Sequence, residues 1–206
     1  MTRVKICGIT AAEDAALAVE AGADALGFVF VPGTPRYIDP EGAAAIIAAL
    51  PPLVAAVGVF LDQPLDEVLA VAAACRLEVV QLHGHESAAY SRGLPVRVIK
   101  AIRVRGPESL GALEGYPAQA FLLDAFVEGQ PGGTGVAFPW ALAREAKRHG
   151  RIILSGGLRP ETVAEAVRTV RPFGVDVSSG VERRPGQKDP EKVREFIVAV
   201  RHADLS

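Results

Sequence analysis

Cys7 closes the short apolar run Val4-Lys5-Ile6-Cys7 and is followed by Gly8, which turns the chain, and Thr10, placed to cap a helix. A thiol at a strand's C-terminal end, facing a helix N-terminus, lies where aligned backbone dipoles favour the thiolate. On position alone, an ordinary buried cysteine is the commoner fate of a free thiol. Asp124 ends a second apolar run, Phe121-Leu122-Leu123-Asp124. Partial burial favours the protonated form of a carboxyl group, which suits a general acid; judged alone, the same residue equally caps the next turn. A candidate base and a candidate acid together mean proton transfer.

Two glycine-rich turns suggest what holds the reactant. Ile152-Ile153-Leu154 runs into Ser155-Gly156-Gly157, and Val175-Asp176-Val177 into Ser178-Ser179-Gly180. Glycines let backbone N–H groups approach an oxyanion, so Gly156, Gly157, Ser179 and Gly180 are candidate phosphate binders. Arg36 follows in a proline-stiffened loop, Pro32-Gly33-Thr34-Pro35-Arg36, and its planar fork suits a carboxylate. A solvated surface arginine is the plainer alternative. Gly132-Gly133-Thr134-Gly135 reads as a flexible loop suited to closing over a ligand. In Gln81-Leu82-His83-Gly84-His85, His83 is a pocket-lining candidate and His85 belongs to a helix start. With His149 and His202 as the remaining histidines, no set of three or four metal ligands suggests itself, and no metal is expected.

These residues need elements to position them. Apolar runs over 3–7, 25–30, 53–60, 79–82, 96–101, 120–124, 152–154 and 174–177 predict eight strands. Between and after them, 11–21, 40–49, 65–74, 86–92, 107–114, 139–149, 159–168 and 190–202 predict helices, several opening on proline or an acidic residue. The strands are near-continuous apolar runs, so both faces are covered. Strand–helix alternation implies parallel strands, and eight such units close into a (β/α)₈ barrel. The alternative, an open doubly wound sheet, would carry a glycine-rich nucleotide fingerprint in its first turn, which Cys7-Gly8-Ile9-Thr10 is not. The expected fold is α/β, one barrel domain over residues 1–206. Chemistry in such a barrel gathers on the loops after the strands, where all the candidates lie.

Composition narrows the partners. Of the 206 residues, 50% are hydrophobic, and the net charge of −2 gives no global field for nucleic acid or a membrane surface. Cys7 and Cys75 make no disulfide framework, and no apolar run reaches membrane-spanning length, so a cytoplasmic protein is expected.

Taken together, the chain resembles the phosphoribosylanthranilate isomerase family of tryptophan biosynthesis. The resemblance runs through Lys5-Ile6-Cys7-Gly8-Ile9-Thr10, Gly27-Phe28-Val29-Phe30, Thr34-Pro35-Arg36, Val57-Gly58-Val59-Phe60, Gln81-Leu82-His83-Gly84 and Leu123-Asp124. It continues through Gly132-Gly133-Thr134-Gly135, Leu154-Ser155-Gly156-Gly157-Leu158, Ser178-Ser179-Gly180-Val181-Glu182 and Pro185-Gly186-Gln187-Lys188-Asp189. Thr34 and Pro139 depart from the family's usual residues. The resemblance implies an Amadori rearrangement without a cofactor. Asp124 would be the general acid, Cys7 the general base and Arg36 the holder of a carboxylate; the backbone at Gly156-Gly157 and Ser179-Gly180 would bind phosphate. It leaves monomer and homodimer open.

Two other enzymes and one binding module compete with this reading. A histidine-biosynthesis barrel doing the same chemistry would use two carboxylates, against which Cys7 argues. A metal-dependent sugar-phosphate epimerase would need ligands that do not appear. A catalytically silent phosphate-binding barrel would require neither Cys7 nor Asp124.

Overall fold

The computed structural model describes residues 1–125 and 140–206. The eight apolar runs form β1 (Arg3–Cys7), β2 (Ala25–Val29), β3 (Ala55–Phe60), β4 (Val79–Leu82), β5 (Arg97–Val104), β6 (Ala120–Ala125), β7 (Ile152–Ser155) and β8 (Gly174–Val177). Each pairs in parallel with the next, and β8 pairs with β1, closing the sheet as a (β/α)₈ barrel. The open-sheet alternative falls with that closure.

Helices α1 (Ala12–Glu20), α2 (Pro40–Ala48), α3 (Leu65–Ala74) and α4 (Ala88–Arg92) follow the first four strands. After β6, β7 and β8 come α5 (Trp140–Ala146), α6 (Pro160–Val170) and α7 (Pro190–Asp204). Polar caps start several of them. The Asp39 carboxylate accepts from Gly42 N–H ahead of Pro40, and that of Asp189 accepts from Glu191 and Lys192 N–H ahead of Pro190.

Three expectations are corrected. Thr10 does not cap α1: Ala11 stands at that position, and the Thr10 hydroxyl donates to the Gly186 carbonyl instead. The α-helix expected over 107–114 is a 3₁₀ segment, Pro107–Leu113, with Gly111 inside it. Gly111 costs about 1 kcal/mol relative to alanine in an α-helix, a large share for so short a segment. His85 starts no helix; it precedes Ser87, the residue that caps α4, and its exposed ring lies 3.1 Å from Asp62. Gly132-Gly133-Thr134-Gly135 and the first residue of the helix expected over 139–149 lie outside the described residues. A 3₁₀ turn (Ser179–Val181) and a small hairpin, β9 (Glu182–Arg184) with β10 (Gln187–Lys188), stand between β8 and α7.

Strand alternation sorts side chains into two cores. Ile6, Leu26, Phe28, Leu82, Leu123 and Val175, none more than 0% exposed, point outward against the helices. Val57, Val79, Ile99, Ala120, Leu122 and Ile153 fill the barrel interior. Cys7, Asp124, Ser155 and Asp176 share the interior phase, one or two steps nearer the strands' C-terminal ends. Register sets Lys5 beside Asp176, Cys7 beside Gly27 and Asp124 beside Ser155.

The opposite end of the barrel is tied by polar bonds. Thr2 donates from N and Oγ1 to the Asp204 carboxylate at 2.7 and 2.6 Å. Arg201, also on α7, reaches the Thr2 carbonyl at 2.6 Å and Asp24 at 2.9 Å.

Candidate active site

At the C-terminal ends of the strands lies an open cavity of about 780 Å³. Cys7 enters it from β1, Asp124 from β6 and His83 from just beyond β4. Arg36 comes from the loop after β2; Gly156-Gly157 and Ser179-Gly180 form the wall after β7 and β8. All eight candidate residues therefore line one space.

Asp124 and Cys7 stand on strands separated by β7 and β8. His83 lies against the carboxylate, its Nε2 3.6 Å from Asp124 Oδ2. The Gln81 amide nitrogen meets His83 Nδ1 at 2.9 Å. That contact holds the His83 ring beside the candidate acid.

The wall between acid and base is backbone. Gly156 and Gly157 have φ of +79° and +72°, consecutive left-handed conformations that a side chain would strain. A Cβ on Gly180 would collide with the Leu158 carbonyl oxygen, so the seventh and eighth loops meet backbone against backbone. This is how such barrels commonly cradle phosphate.

At another edge the Arg36 fork is half engaged. Its Nε and Nη2 donate to the two Glu182 oxygens at 2.8 and 2.6 Å. A guanidinium has five N–H donors, so the Nη1–Nη2 edge remains for a second, bidentate acceptor. Glu182 is fixed from behind by Lys188, whose Nζ lies 2.9 Å from Oε1 and also donates to the Cys7 and Ser178 carbonyls.

Residues 4–199 match the N-(5'-phosphoribosyl)anthranilate (PRA) isomerase family. The chain belongs to that family. A curated relative of the same name from Geobacter sp. (strain M21) is 60% identical over 197 residues, spanning 96% of this chain and 97% of the relative. The crystal structure of phosphoribosyl anthranilate isomerase from Thermotoga maritima superposes with a TM-score of 0.93 at 45% identity, covering 98% of this chain and 100% of that one. Another, at TM-score 0.89 and 43% identity with the same coverage, is a complex with reduced 1-(o-carboxyphenylamino)-1-deoxyribulose 5-phosphate.

In this phosphoribosylanthranilate isomerase family member, the electrostatics around Cys7 are not those of a bare helix terminus. Burial pushes the Cys7 thiol above its usual range; Lys5 pulls it down, Asp176 pushes it up and Lys188 pulls it down. The expected dipole-favoured thiolate is thus opposed by desolvation, and side chains counter that opposition. Burial also lowers Lys188, against the pull of Glu182. For Glu182, burial works upward, but Arg36 and Lys188 hold its carboxyl below the usual range.

Sequence reasoning gave no role to Lys5, Asp176, Glu182 or Lys188. Lys5 carried a readable signal, since a lysine two residues before Cys7 shares its face of the strand. Glu182 carried none, because its partner Arg36 is 146 positions away along the chain, and Lys188 none, because it reaches the Cys7 carbonyl across 181 positions. Arg103 was also missed; it lines the cavity from β5, in register with Asp124.

Proposed function

We propose that the chain catalyses the Amadori rearrangement of N-(5'-phosphoribosyl)anthranilate to 1-(2-carboxyphenylamino)-1-deoxy-D-ribulose 5-phosphate in tryptophan biosynthesis. The observation that carries the reading is one cavity in which a thiol and a carboxyl flank a glycine-built wall. Phosphate rests on Gly156-Gly157 and Ser179-Gly180, and the anthranilate carboxylate takes the open edge of Arg36. Holding both ends fixes the reacting carbons between Asp124 and Cys7, replacing a chance encounter by a set geometry.

Asp124 gives its proton to the furanose ring oxygen as the C1'–O bond breaks and the nitrogen lone pair forms the iminium. His83 keeps Asp124 oriented. Cys7, as thiolate, takes the proton from C2'; that electron pair forms the C1'–C2' double bond and returns the iminium electrons to nitrogen. The enolamine then gains a proton at C1' while the C2' hydroxyl loses its own to solvent, and the C2'–O bond becomes the ketone carbonyl. C1' is reduced and C2' oxidised within one molecule, an intramolecular redox isomerisation. The iminium is the electron sink, so the reaction asks for no cofactor.

The whole of residues 1–206 acts as one isomerase domain, as monomer or homodimer, in the cytoplasm. The reading of compartment is supported by two free cysteines, and no helix among the described residues is long and apolar enough to cross a membrane.

The test follows the fluorescence of freshly generated phosphoribosylanthranilate. Rapid loss with the wild-type protein and background loss with Cys7→Ser is expected. Background loss with both overturns the isomerase.

A further inference from the structure

Cys7 must give up a proton in a site that burial makes hostile to a thiolate, and one neighbouring cation is built to offset this. Lys5 and Cys7 are two residues apart on β1 and both face the barrel interior. Both side chains crowd the bare Cα of Gly27 on the adjacent strand. A methyl group there would lie 2.7 Å from Cys7 Sγ and 3.1 Å from Lys5 Cε. Sharing that one spot brings the Lys5 side-chain end and the Cys7 sulfur together, and Lys5 Nζ donates to Asp176 Oδ1 at 2.7 Å. Asp176 is anchored in turn by the Ser155 hydroxyl, which donates to its other oxygen at 2.9 Å. The Lys5 and Asp176 side chains are 5% and 7% exposed, so their charges act with little screening.

The charged groups around the sulfur come from four elements. Lys5 lies on β1, Asp176 on β8, Lys188 on β10 and Arg36 in the loop after β2, with Glu182 tied to the last two. Lys188 spends its three N–H donors on the Cys7 carbonyl, the Ser178 carbonyl and Glu182. Arg36 is engaged by Glu182. Lys5 is the cation whose side chain packs with the sulfur against Gly27, and its one bond to a carboxylate leaves N–H donors over.

The geometry points to Lys5 as the positioning residue of the proton-transfer step: its ammonium, held by Asp176 and Ser155, is the counter-ion of the Cys7 thiolate. The thiol proton leaves to solvent, the sulfur keeps the electron pair, and Lys5 stays protonated throughout. Asp176 has two opposed effects, locking Lys5 in place while repelling the thiolate. This inference rests on Cys7 being the base of the proposed reaction.

The experiment measures alkylation of Cys7 by iodoacetamide against pH, read on the Cys7 peptide by mass spectrometry, which keeps Cys75 apart. It needs no turnover, so its outcome is independent of whether the isomerase assay succeeds. Lys5→Met is expected to move the midpoint to higher pH and slow labelling about tenfold near neutrality, while Lys5→Arg stays close to the wild type. Asp176→Asn is expected to move the midpoint the other way. An unchanged midpoint in Lys5→Met, or shifts in the same direction in Lys5→Met and Asp176→Asn, overturns the assignment. Should Lys5→Met fail to fold, Lys5→Gln decides in its place: a higher midpoint supports the assignment, an unchanged one overturns it. In the active enzyme, the acidic limb of kcat/KM against pH follows the alkylation midpoint in each variant.

Discussion

Removing either group proposed to handle protons is expected to leave the barrel standing and stop the reaction. Cys7→Ala and Asp124→Asn are each expected to lower kcat by about 10²–10⁴-fold, with circular dichroism and melting unchanged. Substantial turnover in either variant removes that residue's role. Arg36→Ala is expected to raise KM with a smaller effect on kcat, whereas Glu182→Gln, which keeps the shape but loses one charged pairing, raises KM less. Steady-state kinetics on the four variants separate these effects. Cys7 and Asp124, the residues proposed to do proton chemistry, were legible in the sequence because each lies at the end of an apolar run, a position the barrel converts into a place in the cavity. Their supporting charges were not: Glu182 joins Arg36 across 146 positions, and only folding makes them neighbours.

At the scale of elements, the strands and most helices were legible, because apolar runs and proline starts are local signals. The 3₁₀ segment at Pro107–Leu113 and the hairpin at Glu182–Arg184 and Gln187–Lys188 were not. The first borrows the look of a helix without the length, and the second is two short polar strands with no alternation to read. The hairpin matters to the site, since it delivers both Glu182 and Lys188. The contact between the seventh and eighth loops gives another prediction. Gly180→Ala would push a methyl group into the Leu158 carbonyl and part the two loops. Loss of one charged phosphate hydrogen bond weakens binding by about tenfold or more. Inhibition by inorganic phosphate is the measurement, and an unchanged inhibition constant would dismiss the glycine wall as a phosphate site.

Across the whole molecule, alkaline pH finds a weak point in two half-buried tyrosines. Burial pushes both Tyr90 and Tyr116 up to about 12, with nearby carboxylates adding to it; the Ser91 hydrogen bond works against the rise at Tyr116. Their hydroxyls donate to the Gln63 and Glu86 carbonyls at 2.9 and 3.0 Å. In the unfolded chain a phenol titrates near its ordinary value of about 10. The folded state binds these protons more tightly, so the stability they contribute is complete below about 10 and is lost as pH rises through about 12. Urea midpoints are expected to fall across that window. Replacing both tyrosines with phenylalanine should lower the midpoint at neutral pH and flatten its alkaline decline. An equally steep decline would assign the alkaline loss to other groups.

The bonds from Thr2 to Asp204 make the polypeptide nearly a ring. β1 and β8 are the first and last barrel strands along the chain but ordinary neighbours in the sheet. A short linker joining the two ends, with a new opening cut at the turn before β3 where Leu53 is 94% exposed, would ask no strand to change its neighbour. Circularly permuted in this way, the protein should still close its barrel and assemble the same cavity. Where the barrel begins is then a property of the gene and not of the fold.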